Sequence, residues 1–135
     1  ACIAETMDED ESGLERVRKL DQFAVKYPYL RKHNLFLRSL FYSCASAGYD
    51  YEDADNIPKS KEYYLRAVEA LKAIDDKEIV DKDEISILYT SMADMCEEEG
   101  NLKEAERLLN EGLQFAPGDS ELEMELILLA PRLKK

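Results

Sequence analysis

The sequence predicts an all-α fold of about six helices paired as antiparallel hairpins. Three observations carry this expectation. Leu, Glu, Lys and Ala dominate, and such residues lose little side-chain freedom in a helix. Apolar residues recur at three- and four-residue spacing in six separate segments, while no stretch alternates with period two for long enough to make a strand. The segments are joined mostly by short turns, which sets successive helices antiparallel. With 135 residues, 45% of them hydrophobic, the chain can bury one continuous core.

Each element follows in order. Residues 1–11 end in Met7-Asp8-Glu9-Asp10-Glu11 and form an acidic tail; residues 12–135 form the helical domain. Ser12 is the expected N-cap of the first helix, with Glu15 completing a capping box. Leu14, Val17, Leu20, Ala24 and Tyr27 make its apolar stripe, and Pro28 ends it. The second helix starts at about Leu30 or Asn34 and runs to Ala47. Leu37, Leu40, Phe41 and Cys44 are its buried face, and Gly48 is the expected C-terminal cap. Residues 49–58 carry no helical stripe and are expected to be a loop. The third helix begins near Pro58, a residue favoured in a first turn, and buries Tyr64, Ala67, Val68, Leu71 and Ile74.

Asp75-Asp76-Lys77 interrupts the pattern. Asp81 or Asp83 caps a fourth helix with Ile85, Leu88, Tyr89, Met92 and Cys96 on one face. Gly100-Asn101 is a tight reversal. The fifth helix follows with Leu102, Ala105, Leu108, Leu109, Gly112 and Leu113, and stops before Pro117-Gly118. Ser120 is the expected cap of the sixth, whose core face is Leu122, Leu126, Leu129 and Leu133.

Residues 86–119 span 34 positions, and their spacing repeats a known pattern. Tyr89, Met92, Ala93 and Cys96 supply large, large, small and large side chains in one helix. Ala105, Leu109, Gly112 and Pro117 supply small, bulky, small and Pro in the next. Small residues let two helices approach and bulky ones fill the space around them. This segment resembles a tetratricopeptide (TPR) repeat. A second, divergent repeat covers about 34–75. There Leu37, Leu40, Phe41 and Cys44 take the first-helix positions and Ser60, Tyr64 and Ala67 the second. Phe41 is too large for the small slot, the intervening loop is seven residues longer, and no Pro closes the repeat. The resemblance implies a TPR-like α-solenoid, with a capping helix over about 120–133.

Thirty acidic residues against 18 basic ones give a formal net charge of −12. Such a chain repels phosphate backbones and anionic lipid, and no apolar run is long enough to span a bilayer, so neither nucleic acid nor membrane insertion is expected; the acidic helix faces serve solubility, with a preference for basic partners as the alternative. Three scattered cysteines form neither a disulfide framework nor a zinc motif, which points to a reduced, cytoplasmic setting. A lipid anchor near Cys2 of an exported chain is the alternative.

No catalytic, metal or cofactor site is expected. His33 is the sole histidine and reads as an ordinary residue beside a helix start; no G-x-S-x-G or phosphate-binding glycine loop accompanies it. Asp50, Glu52, Asp53 and Asp55 lack the EF-hand order and its glycine, so a solvated loop is expected there. Tyr49 and Tyr51 either pack back on the domain or meet a partner. Cys44 and Cys96 are expected to be inert core thiols.

TPR proteins usually bind extended peptides along the concave face made by the first helix of each repeat. The resemblance places Leu35, Arg38 and Tyr42 there from one repeat, and Ile87, Thr90, Asp94 and Glu97 from the other. Family members that clamp a chaperone's C-terminal carboxylate use Lys, Asn and Arg. Asp94 and Glu97 would repel a carboxylate, so this surface suits a peptide bearing Lys or Arg, or a partner helix. The expectation is a non-catalytic protein-interaction module or scaffold. The alternative is a structural or regulatory domain of a larger chain. On that view a homodimer forms through the sixth helix, where Met124, Ile127 and Leu128 point away from the leucine face.

Overall fold

A computed structural model describes residues 12–134, and the acidic tail at 1–11 lies outside them. The described residues are all-helical, with six α-helices and no strand. These are α1 (Gly13–Lys26), α2 (Asn34–Asp53), α3 (Ile57–Ala73), α4 (Lys82–Glu98), α5 (Leu102–Phe115) and α6 (Ser120–Leu133). Short 3-10 segments occupy Pro28–Lys32 and Lys77–Ile79. The chain divides into two compact units with the boundary between Ile79 and Val80.

Each of the six α-helices opens on a side chain that accepts a backbone N–H, the group a helix start leaves unpaired. The caps are Ser12, His33, Asn56, Asp81, Asn101 and Asp119. Ser12 serves as expected, its Oγ accepting from the Glu15 N–H at 3.2 Å. Asp81 rather than Asp83 caps α4. Ser120 does not cap α6. Asp119 does, its Oδ1 accepting from both the Leu122 N–H at 3.0 Å and the Ser86 hydroxyl at 2.8 Å. A carboxylate one residue earlier outcompetes the serine because it holds two donors at once and carries charge into the positive end of the helix.

In the first unit, α1 packs on α2 and α2 on α3. Leu20, Ala24, Leu30 and Phe36 form a buried cluster beneath the Pro28–Lys32 turn, with Phe23 and Leu40 against it. Arg66 on α3 donates to both carboxylate oxygens of Asp21 on α1, at 2.7 and 3.3 Å.

The α2–α3 connection corrects the sequence-based expectation. Gly48 does not end α2, which continues through 49–53, and the reversal is made by 54–56 with Asp55 at φ 62°. The supposed long loop is therefore mostly helix. Its stabilising contacts are aromatic rather than aliphatic. Tyr49 meets the ring of Tyr64 edge-on at 5.4 Å, and Tyr51 stacks on Tyr63 at 5.6 Å. Both tyrosines pack back on the protein.

Gly48 has a different task from capping. A Cβ on it would overlap the ring of Tyr64, so its absence lets α3 press a whole phenol against the α2 backbone. The Ser60 hydroxyl donates to the Gly48 carbonyl at 2.8 Å, and Tyr64 Oη donates to Glu52 Oε1 at 2.6 Å, one turn farther along α2. The second unit uses the same device with the helices exchanged. Tyr89 on α4 lies against Gly112 on α5, where a Cβ would stand 2.9 Å from the tyrosine Cβ, and its hydroxyl donates to Glu111 Oε2 at 2.7 Å. Burial and the neighbouring carboxylate raise both phenol pKa values, which keeps the two hydroxyls as donors.

In the second unit α4 packs on α5, α5 on α6, and α6 also reaches α4. Ile85, Leu88, Leu109, Leu122 and Leu129 are wholly buried. Lys82 Nζ donates to the Phe115 carbonyl at 3.0 Å, placing a cation at the negative end of α5. Pro131 sits in the last turn of α6 and is exposed.

Candidate partner-binding surfaces

Each unit contributes its own row of side chains. On α2, Leu35, Arg38 and Tyr42 recur at i, i+3 and i+7 and share one face. Leu35 is exposed, and Arg38 and Tyr42 are half-buried. Tyr42 meets the buried ring of Phe41 edge-on at 5.3 Å, which restrains it at the surface. Helix periodicity thus presents a cation, an aromatic ring and an apolar side chain in one line.

On α4, Ile87, Thr90, Asp94 and Glu97 recur in the same way. Ile87 and Asp94 are exposed, whereas Thr90 and Glu97 are half-buried. Thr90 is less open than its position in sequence implies. Its Oγ1 is covered and has no hydrogen-bond partner among the described residues. It is a surface residue by spacing but offers a partner little more than its methyl edge.

Asp94 and Glu97 are joined by a residue the sequence did not single out. Glu125 of α6 lies beside them, and one carboxylate oxygen from each of the three falls within 4.8 Å of the others. Arg132, also on α6, forms an ion pair with Glu97. Glu125 has its pKa raised, first by burial and then by the charges of Glu97 and Glu121. The three clustered carboxylates make the local field negative. The field attracts cationic groups, whether a Lys or Arg side chain or a hard metal ion. Glu125 was hidden in sequence because the sixth helix read as an apolar cap. The available signal was Glu121 and Glu125, which stand four apart and so line one edge of that helix.

The remaining candidates resolve into structural roles. His33 Nδ1 accepts from the Leu35 N–H at 3.3 Å, so the one histidine caps α2. Among the acidic residues once assigned to a loop, Glu52 is engaged by Tyr64. Cys44 is buried and its thiol is pushed up to about 12 by loss of hydration; Cys96 is half-buried.

On α6, Met124, Ile127 and Leu128 are 54%, 64% and 62% exposed, in contrast with the buried Leu122 and Leu129. Among the described residues no helix is long and apolar enough to cross a membrane. Compared with known proteins, the chain matches no family model, no curated protein and no solved structure.

Proposed function

We propose that this chain is a non-catalytic protein-interaction module of TPR-like design that takes a basic peptide or a partner helix. The observation that carries the proposal is the carboxylate group of Asp94, Glu97 and Glu125. Three acids gathered on two helices, one of them paired with Arg132, make a locally acidic surface that favours an incoming Lys or Arg. The first unit, taken by itself, presents Arg38 and Tyr42, residue types that interaction surfaces favour. Two features support the tetratricopeptide design. One is the antiparallel helix pairs, and the other is the small-to-large contacts at Gly48–Tyr64 and Gly112–Tyr89. The one histidine is accounted for as a helix cap, which supports a role without catalysis.

The test is an array of 12-residue peptides graded in Lys and Arg content, read by fluorescence polarisation at low and high salt. Wild-type protein should prefer the basic peptides, and the preference should weaken with salt. Asp94→Asn should reduce binding about tenfold, equivalent to about 1.4 kcal/mol. Equal binding of neutral and basic peptides would refute the acidic row as the recognition element.

A second reading is favoured by a separate observation, the exposed apolar stripe of α6. On this view the domain is structural or regulatory and self-associates through Met124, Ile127 and Leu128.

A further inference from the structure

We infer that α6 pairs with α6 of a second copy of this chain, antiparallel and about a two-fold axis near Ile127 and Leu128. This deepens the second reading above and rests on it. Met124, Ile127, Leu128 and Pro131 are all exposed and recur at i, i+3, i+4 and i+7, a continuous stripe. Leu122, Leu126, Leu129 and Leu133 occupy the opposite side of the helix, buried or half-buried. The stripe is therefore a second apolar face, distinct from the one that packs within the second unit.

The charges beside the stripe identify the occupant and its direction. At about 100° per residue, Glu121 and Arg132 fall along one edge of the stripe, and Glu123 and Lys134 along the other. All four are exposed. Acidic residues thus flank the N-terminal half of α6 on both edges, and basic residues flank the C-terminal half.

An antiparallel two-fold pair brings each edge against the same edge of the partner, reversed end for end. Glu123 then meets the second copy's Lys134, Glu121 comes beside its Arg132, which also holds Glu97 of its own chain, and Ile127 and Leu128 meet one another at the centre. A parallel pair does the opposite. It sets Glu121 beside the other copy's Glu123 and Arg132 beside its Lys134, like charge on like charge. Flanking charges of this kind set orientation and partner choice in paired helices more than they set affinity. The same chain supplies both halves of the complementary pattern, so the surface fits itself.

One helix face is smaller than the roughly 800 Å² per partner of a standard stable interface. The association is accordingly weak and concentration-dependent, rising from the 15.5 kDa monomer towards twice that mass.

Light scattering after size exclusion over a concentration series tests this on the full chain. Leu128→Glu should hold the mass at the monomer value with the helical circular dichroism unchanged. Glu123→Lys and Lys134→Glu, made separately, should each weaken association about tenfold, the effect of turning two attractive pairs into repulsive ones at roughly 0.3–1 kcal/mol apiece. Mixing the two variants should restore it, because each now presents one sign at both ends.

A wild-type monomer at every concentration would overturn both the self-association reading and the antiparallel pair. A dimer abolished by Leu128→Glu but indifferent to both charge reversals would overturn the antiparallel pair alone. Neither failure bears on peptide binding at the acidic row, which the peptide array with Asp94→Asn reads separately.

Discussion

Gly48→Ala sets two effects of known sign against each other inside the α2–α3 hairpin. In an unconstrained helix interior, alanine is better than glycine by about 1 kcal/mol, because glycine loses more backbone freedom on folding. Here the new Cβ would overlap the Tyr64 ring. That ring is 1% exposed and is held at its far end by the hydrogen bond to Glu52, so it has no direction in which to retreat freely. Overpacking of a filled core costs about 1–3 kcal/mol. If the ring moves enough to break the phenol–carboxylate bond, a further 1.5–3 kcal/mol is at stake.

The clash outweighs the propensity gain, and Gly48→Ala should be destabilising by roughly 1–3 kcal/mol. Urea denaturation followed by circular dichroism measures it. The double variant with Tyr64→Leu isolates the cause, since leucine lacks the ring edge that the Cβ meets. In that background Gly48→Ala should cost less or become favourable, a coupling of about 1–2 kcal/mol. A single variant more stable than wild type by the propensity increment would refute the close approach.

Three further outcomes follow from the same contacts. Asp119→Ala should lower stability by about 1–2 kcal/mol, as loss of a good N-cap does, and Ser120→Ala should be nearly neutral; equal effects would show that the cap is misassigned. Cys44 should resist alkylation in the native protein at pH 8 and become reactive on unfolding, because its thiol is pushed up to about 12; fast native labelling at Cys44, located by peptide mass, would contradict its burial. Glu125→Gln should stabilise the protein at pH 7, by no more than about 1 kcal/mol for a site still partly screened by water. The sign follows from the raised pKa. The folded state holds the Glu125 proton more tightly than the unfolded chain, so ionisation above the unfolded pKa disfavours folding. The gain should therefore shrink as pH falls through the ordinary glutamate range and the wild-type carboxyl protonates.

Helix number and the greater part of each apolar face were legible because a 3.6-residue period is strong over three or four turns. Ser12 and the Gly100-Asn101 reversal were legible through their local chemistry, which narrowed the cap of α4 to Asp81 or Asp83 without choosing between them. The end of α2 was not. Tyr49, Tyr51 and Glu52 look like loop residues when apolar periodicity is the criterion, and only their partners on α3 make them helical. Gly48 misled for the same reason. A glycine after a helical stripe suggests a cap, yet here it marks where another helix's side chain comes closest. Tertiary contact outweighed local signal in both cases. At the surface, Asp94 and Glu97 could be picked by spacing, but Glu125 required knowing that α6 folds back on α4.

The acidic group on α4 and α6 bears on why the surface would take a cation at all. Glu125, one carboxylate oxygen of which lies within 4.8 Å of those of Asp94 and Glu97, has its pKa raised first by burial and then by the charges of Glu97 and Glu121, so its ionisation works against folding. Arg132 relieves this only at Glu97, through an ion pair near the surface that is worth little by itself. A lysine or arginine arriving from a partner would therefore do more than add an attraction. It would remove a repulsion that the unbound protein already carries, and stability would rise with occupancy, since a ligand that binds the folded state alone must stabilise it. The same logic fixes a sign that mere charge attraction does not. Removing one acid should make the free protein more stable while making the bound state weaker. Glu125→Gln should thus raise the unfolding midpoint of the unliganded chain and, in the same preparation, lower its affinity for a basic peptide. A variant that lost both together would point to a damaged fold rather than to a recognition surface.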